Sequence, residues 1–448
     1  MKTRKKVLFS SYNPLLERLF SQGINTSWER YEAGLPQNRI ASAGFFCNSD
    51  CTDGPCHIDP FGNKTSQAVC GRTACEITSA WLCQAVAKGL ARRLLETRDE
   101  SGELPAMPKE LVRLMAFPVQ YRMEAQRVAL LLKEAATAVM NAEADAAHTE
   151  PLPSPGNLRC GLGARNPLRP AVLLDGLDTD TARQIASSLE SSGLDCLVSG
   201  NERVGFSAGL RVMCPSSLVG IVSVAGAVDA VITGDSTRAR FMPDAEAGAQ
   251  VFSPEECLCN VVSSARRHFS DYPPVVATGS TAKWERLEPE NGYFIIGGGL
   301  SVKTTCGSDT VELVQMAVDD GFGVLAFGDS AAVLGEAGLI GSKGGTCVIP
   351  ADNPSGLGWA FAMIRDRCLD KPVLAAFPEA SSVKDLASAL MMSVLGVPTY
   401  FGSVLPIWGP ELPAKLGLSS AGGIPLITYP SRVAVGAAWK QMREALSS

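Results

Sequence analysis

PAVLLDGLDTDTARQIASSLESSGLDCLVS, residues 170 to 199, reads as one strand–helix–strand unit. Ala171 to Leu174 and Cys196 to Ser199 are short apolar runs, and Thr181 to Ser192 between them carries its apolar residues at helical spacing. Two strands joined through a helix lie parallel, because a return through a tight hairpin is what antiparallel pairing would need. The alternation continues outward, with further strands expected at Val228 to Thr233 and Pro273 to Ala277. A second such series starts near Tyr293, where Phe294 to Ile296 runs into Gly297, Gly298 and Gly299. Strands then fall at Val324 to Phe327, Val373 to Ala376, Thr399 to Phe401 and Leu426 to Thr428. The helices between and after them fall at Asp309 to Asp319, Ala331 to Ala337, Val383 to Leu395 and Arg432 to Leu446. The expectation is an α/β protein with two Rossmann-like parallel-sheet domains, residues 151–287 and 288–448.

Upstream of residue 151 the pattern is helical: Asn13 to Gln22, Ser27 to Ala33, Arg72 to Leu95, and Lys109 to Phe117 after Pro108. Val128, Leu131, Leu132, Ala135, Val139 and Met140 mark one more helix. Pro151, Pro153, Pro155 and Gly156 then read as a linker, so residues 1–150 form a helical N-terminal domain.

With 46% hydrophobic and 19% charged residues in 448, the chain is globular rather than disordered. A net charge of −6, and no basic stripe beyond Lys2 to Lys6, argue against nucleic acid as a partner. No apolar stretch follows the basic start, so no secretory signal is expected. Runs such as Gly220 to Thr233 fall short of the roughly 20 residues that span a bilayer, so no membrane insertion is expected and a cytoplasmic location follows. In that compartment fourteen cysteines point to metal ligands, reactive thiols or buried residues rather than disulfides.

Five of the fourteen fall between Cys47 and Cys75. The segment runs Cys47-Asn-Ser-Asp-Cys51-Thr-Asp-Gly-Pro-Cys56-His-Ile-Asp-Pro-Phe-Gly62 and on to Cys70-Gly71. Gly54-Pro55 and Pro60-Phe61-Gly62 are turn formers that let four thiolates converge, as an iron–sulfur cluster requires. Structural zinc also takes four cysteines, although usually as short C-x2-C pairs, and unliganded cysteines are the third reading; spacing alone leaves the three open.

Asp53 to Gly62 followed by Cys70-Gly71 resembles the cluster loop of anaerobic nickel–iron carbon monoxide dehydrogenase catalytic subunits, within the superfamily that includes the hybrid-cluster proteins. Gly23 to Arg30, Gly226 to Val231, Phe327 to Ala332 and Glu336 to Leu339 resemble other parts of that family. The resemblance implies a homodimer with a helical N-terminal domain and two Rossmann-like domains, in a shortened form. It also implies one [4Fe-4S] relay cluster in the loop, a ferredoxin-like electron carrier as partner and an anaerobic setting.

The match is incomplete at the metal ligands. The family has adjacent cysteines where this chain has Cys47-Asn48, so Cys51, Cys56 and Cys70 match the relay set and Cys47 is the candidate fourth ligand, with Cys75 in reserve. No cysteine precedes Cys47, and a subunit-bridging cluster of the family type is not expected. Where the family places a histidine, this chain has Leu174-Asp175-Gly176, and its histidines are His57, His148 and His268. Two further cysteine places hold Gly200-Asn201-Glu202 and Gly234-Asp235-Ser236, and a third holds Gly328-Asp329-Ser330. Cys347 keeps its place, and Cys160, Cys196, Cys214 and Cys306 are the thiols that could join it in a second metallocluster. One retained thiolate cannot supply the soft coordination of the family's catalytic cluster, so nickel is not expected.

Asp175, Asp235 and Asp329 all follow strands, where open α/β sheets bind ligands, and with Cys347 they are the candidates for a remodelled cleft. Capping of the next helix is the structural alternative for such aspartates. Gly297 to Gly299 lacks the spaced dinucleotide fingerprint and reads as a tight turn, and Gly341 to Thr346 does not match a P-loop. The expected function is an iron–sulfur redox protein relaying electrons to or from an interdomain site of unknown substrate. The alternatives are a non-catalytic electron-transfer or assembly subunit, and a true carbon monoxide dehydrogenase with atypical ligands.

Overall fold

The computed structural model describes residues 5–33, 45–46, 57–58, 67–95, 106–120, 125–147, 156–162, 165–199, 211–214, 226–234, 248–272, 280–284, 289–301, 304–341, 355–380, 382–402, 426–427 and 434–446. In chain order the helices are α1 (Asn13–Ser21), α2 (Ser27–Ala33), α3 (Ala74–Leu95), α4 (Lys109–Gln120), α5 (Ala125–Ala147) and α6 (Thr179–Ser191). They continue as α7 (Leu258–Asp271), α8 (Ser308–Asp319), α9 (Asp329–Glu336), α10 (Ser355–Arg365), α11 (Val383–Val394) and α12 (Val435–Leu446). Among the described residues no helix is long and apolar enough to cross a membrane.

The strands are β1 (Phe45–Phe46), β2 (His57–Ile58), β3 (Gly156–Cys160), β4 (Ala171–Asp175), β5 (Asp195–Ser199), β6 (Arg211–Cys214) and β7 (Ala230–Thr233). They continue as β8 (Gln250–Phe252), β9 (Ser280–Trp284), β10 (Gly292–Ile296), β11 (Phe322–Ala326), β12 (Val373–Phe377), β13 (Thr399–Phe401) and β14 (Leu426–Ile427). The chain divides into two units, Met1–Arg30 with Pro151–Asn353, and Tyr31–Glu150 with Pro354–Ser448.

In the first unit a seven-stranded sheet runs in the order β8-β7-β4-β5-β6-β3-β9. Its pairs are parallel except β3 with β9. Every residue of β4, β5 and β7 is buried, which is why these strands read as unbroken apolar runs. After β3, which lies beyond β6, the chain lays β4 at the centre, moves through β5 to β6 on one side, then crosses back to lay β7 and β8 on the other. The sheet therefore changes direction between β4 and β7, the switch point at which doubly wound sheets open a crevice. Helix α6 begins where Asp178 accepts the backbone N–H groups of Asp180 at 3.0 Å and Thr181 at 2.9 Å. Although partial burial works against it, these bonds hold the Asp178 carboxyl below its ordinary range.

Residues near the N-terminus pack on this sheet, with Tyr12, Leu15, Leu19 and Trp28 in one cluster with Leu173, Leu197 and Val231. Burying each large apolar side chain contributes roughly 1.5–3 kcal/mol before entropy is counted. At the amino ends of the strands Asp229 is fully buried and accepts the Ala171 N–H at 2.7 Å and Arg165 Nη2 at 3.1 Å, with His268 Nδ1 at 2.9 Å. Burial pulls the Arg165 guanidinium below its ordinary value, opposed by the charges of Asp229 and Asp195. This triad ties α7 and the segment before β4 to one carboxylate at the edge opposite the switch point. Elsewhere in the unit β10 pairs in parallel with β11.

In the second unit α3, α4 and α5 pack on one another, with α10 against α5 and α11 against α3. Arg93 and Glu143 form a buried two-point ion pair between α3 and α5, with Nε to Oε1 at 2.9 Å. Strands β12, β13 and β14 are parallel.

The α/β class and the parallel pairing are as expected, and the strands anticipated at 171–174, 196–199 and 399–401 lie within one residue of those observed. Strands β1, β2, β3, β6, β8 and β9 and helices α7 and α10 are additional. The strand anticipated at Pro273 to Ala277 lies outside the described residues, as does most of the proline-rich linker.

Candidate functional site

Asp175 is the last residue of β4 and is 1% exposed. Its neighbours across the sheet end in hydroxyls: Ser199 Oγ, closing β5, donates to Oδ1, and Thr233 Oγ1, closing β7, donates to Oδ2 at 3.1 Å. Three adjacent strands thus converge on one carboxylate at the carboxyl edge of the sheet, beside the switch point. The backbone is equally close there, since Gly234 N–H donates to the Asp175 carbonyl at 3.2 Å. A Cβ on Gly234 would meet the Gly176 carbonyl oxygen at 3.0 Å, and Gly176 itself has φ +64°. Glycine at both positions lets two strand ends turn away side by side.

Capping, the structural alternative to a cleft role, belongs after β4 to Asp178 rather than Asp175. Asp329 opens α9 directly after Gly328, whose φ of +62° and ψ of −141° are open to glycine, and it is buried. Ser330 Oγ reaches the Gly298 carbonyl at 3.5 Å, joining the helix start to the glycine turn after β10. Asp235 and Cys347 lie outside the described residues.

In the second unit the cysteine segment is framed by two short strands. Phe45 pairs with Ile58 and Phe46 with His57, antiparallel, so the residues on either side of the 47–56 segment are held together. Cys47, Cys51 and Cys56 belong to that segment and lie outside the described residues. Cys70 is described and exposed, on a turn in which Gly71 N–H donates to the Ala68 carbonyl at 2.8 Å. Three residues on, Thr73 and Glu76 bond each other's backbone N–H at 3.4 Å and 2.8 Å, a capping box that starts α3. Cys75 follows in that first turn. Among the described residues no three His, Cys, Asp or Glu side chains form a metal-ligating group.

The remaining described thiols are mostly core residues. Cys196 is buried and lies 3.9 Å from the Ala186 carbonyl, and Cys306 donates to the Ser301 carbonyl at 3.3 Å. Cys160 is buried against Gly335. Burial pushes the Cys83 thiol up to about 12, which leaves it inert at neutral pH.

Sequence reasoning did not single out Ser199 or Thr233; the available signal was a hydroxyl residue closing each strand beside β4. Nor did it find the carboxyl of Glu336, which accepts Ser11 Oγ at 3.0 Å and Tyr12 Oη at 3.2 Å. Burial pushes this carboxyl up to about 7 even though both hydroxyls favour its charged form.

No family model matches the chain. Carbon monoxide dehydrogenase 1 of Methanosarcina acetivorans is 38% identical over 95 residues, which are 21% of this chain and 15% of that protein. Carbon monoxide dehydrogenase 1 of Methanosarcina mazei is 40% identical over 85 residues, 19% of this chain and 13% of that protein. The chain therefore matches well under a fifth of the length of these curated relatives. In fold it is similar to a nickel-free carbon monoxide dehydrogenase from Thermococcus sp. AM4 produced without the CooC maturase. The TM-score is 0.80 at 16% identity, over 100% of this chain and 98% of that one. The chain is thus similar in fold, end to end, to a carbon monoxide dehydrogenase, and one local stretch of it is similar in sequence to curated carbon monoxide dehydrogenases.

Proposed function

We propose that the chain is an iron–sulfur redox protein in which Cys47, Cys51, Cys56 and Cys70 hold one [4Fe-4S] cluster. The observation that carries this reading is the pairing of Phe46 with His57, which draws together the flanks of the segment bearing three of the four cysteines. Cys70 stands exposed on a turn of the same unit, free of any buried core role. Four thiolates are the donor set such a cluster takes, and it supplies one-electron transfer when bound. Cys75, in the first turn of α3, is the substitute fourth ligand if Cys47 is not used.

In this reading electrons pass between a ferredoxin-like carrier and a remodelled site that draws on Asp175, Asp235, Asp329 and Cys347, and two copies of the chain pair. Carboxylates in place of soft ligands favour proton transfer or a hard cation over nickel. A second reading, an electron-transfer or assembly subunit without cleft chemistry, is favoured by one observation. Both oxygens of Asp175 are already engaged by Ser199 and Thr233.

The test is iron, nickel and sulfide analysis with EPR on protein purified without oxygen, for wild type, Cys51→Ala and Cys347→Ala. About four irons per chain, no nickel and a signal lost in Cys51→Ala alone are expected for one relay cluster. Nickel or further iron that disappears with Cys347→Ala, with carbon monoxide-dependent dye reduction, would instead establish a catalytic metallocluster. Absence of iron would overturn the proposal.

A further inference from the structure

The segment ahead of α1 lies along two elements that leave the β10–β11 pair. Val7 forms a parallel bridge with Cys306, in which the Cys306 N–H donates to the Lys6 carbonyl and the Leu8 N–H to the Cys306 carbonyl, both at 3.0 Å. Thr305 Oγ1 adds a bond to the Lys5 carbonyl at 2.9 Å. A turn further on, Ser11 Oγ and Tyr12 Oη hold the two oxygens of Glu336, the last residue of α9. One end of the segment therefore grips the foot of the loop from β10 to α8, and the other grips the end of the helix that follows β11. That loop and that helix also meet where Ser330 Oγ reaches the Gly298 carbonyl, beside Asp329.

Val7 and Tyr12 sink into the same apolar cluster as Cys306 and Val333, and Lys6 pairs with Glu29. Glu336 is the anchor without an opposite charge: among the described residues its polar partners are the two hydroxyls alone. On its other side β3 brings Gly161 close, where a Cβ would lie 3.3 Å from Glu336 Cγ. Strands β3, β6 and β9 and helix α8 pack on α9. The described charged side chains of those elements are Arg159 on β3 and Asp309, Glu312 and Asp319 on α8, and none of them shifts Glu336. The Tyr12 phenol is the titratable group in contact with it. A carboxylate formed here gains full hydration only if the segment that covers it lifts away.

We infer that residues 5–12 form a pH-sensitive strap, closed over the β10–α8 loop and α9 while Glu336 holds its proton and opening once that proton is lost. Under the closed strap burial keeps the Glu336 carboxyl protonated up to about 7, against the pull of both hydroxyls, and in water it releases the proton at its ordinary value of 4.5. Between those values the closed form binds one proton more than the open form. Opening therefore becomes easier as pH rises through that interval and levels off above it. Because the same segment pairs with Cys306, its opening also frees the foot of the loop that meets α9 at Gly298 and Ser330. This is a local opening that leaves the central strands of the sheet in place. The strap is independent of the cluster loop and of the reading given to it.

The experiment is hydrogen–deuterium exchange with mass spectrometry on the full chain at pH 5, 6, 7 and 8, with labelling times scaled to the intrinsic exchange rate at each pH. The peptides carrying the Leu8 and Cys306 amides are the readout, and a peptide from β4 is the reference. In wild type, opening at Leu8 and Cys306 should rise about sevenfold from pH 5 to 6, about fivefold from 6 to 7 and about twofold or less from 7 to 8. At every pH both amides should exchange faster than β4, which marks local opening rather than global unfolding. Glu336→Gln should flatten the profile. Thr305→Val removes the bond to Lys5 and should raise exchange at Leu8 at every pH while keeping the wild-type slope. A flat wild-type profile, a Glu336→Gln profile as steep as wild type, or Leu8 and Cys306 exchanging in step with β4 would overturn the inference. Wild type and Thr305→Val decide the matter on their own if Glu336→Gln does not fold.

Discussion

Thr233 donates to the Asp175 carboxylate at 3.1 Å across the seam where the seven-stranded sheet changes direction. Together with the bond from Ser199 it makes Asp175 a staple for three strand ends. Asp175→Ala removes the acceptor of two hydroxyls at once, and a buried donor left unmade costs about 1–3 kcal/mol. A loss of about 2–4 kcal/mol in urea unfolding is expected. Asp175→Asn keeps an acceptor oxygen and should lose less. Equal losses in the two variants would show that the hydroxyl pairing is not what holds the strand ends.

The central strands were legible because β4, β5 and β7 are buried on both faces, which confines polar residues to the strand ends and leaves the apolar runs between them unbroken. The outer strands were not. Ser280-Thr-Ala-Lys-Trp284 at the sheet edge is mostly polar, and Gln250-Val-Phe252 is too short for alternation to register. Asp175 was legible as a strand-end carboxylate, but its partners are 24 and 58 residues away, and pairing at that distance is set by strand order rather than by any local pattern. The Arg165–Asp229–His268 group was hidden for the same reason: each residue alone is an ordinary polar side chain, and packing of the strand amino ends brings them together. The cysteine segment was the clearest local signal, and the β1–β2 pairing around it agrees with a segment closed at its base.

Arg93 and Glu143 test how a buried ion pair behaves in the helical part of the second unit, since their side chains are 3% and 0% exposed. Removing one partner strands the other charge in the core, so Glu143→Ala should cost about 3–5 kcal/mol. Replacing both with apolar residues of similar size, Arg93→Met with Glu143→Leu, should be close to neutral because the desolvation penalty goes with the charges. Denaturant unfolding of the two single variants and the double variant measures the coupling. Additive losses would contradict this account.

Gly89 sets the approach of α3 to α11. A Cβ there would lie 2.1 Å from the Val383 carbonyl oxygen and 2.8 Å from the Ala387 Cβ. Alanine gains about 1 kcal/mol in helix propensity over glycine. Overpacking against a fixed backbone carbonyl costs about 1–3 kcal/mol, and at so short a distance the upper end applies. The net effect of Gly89→Ala should be destabilising, read as a lower thermal midpoint, whereas propensity alone would raise it.

Glu336 gives the fold a pH dependence of unusual sign for a carboxylate. Burial raises its folded-state pKa from 4.5 to about 7, against the opposing bonds from Ser11 and Tyr12. Between those two values the unfolded chain has released the proton and the folded chain still holds it, so the folded state binds more protons. Its contribution is fully present below about 4.5, shrinks as pH rises toward 7, and above that the buried carboxylate is a cost on the order of 3 kcal/mol. Glu336→Gln keeps a neutral group of the same shape with an oxygen to accept from Ser11 or Tyr12. It should therefore match wild type near pH 5 and exceed it in stability at pH 8, with the difference opening across the interval between. Urea midpoints at pH 5, 6, 7 and 8 for the two proteins measure this directly. A constant difference across that range would show that Glu336 does not carry its proton into the folded state.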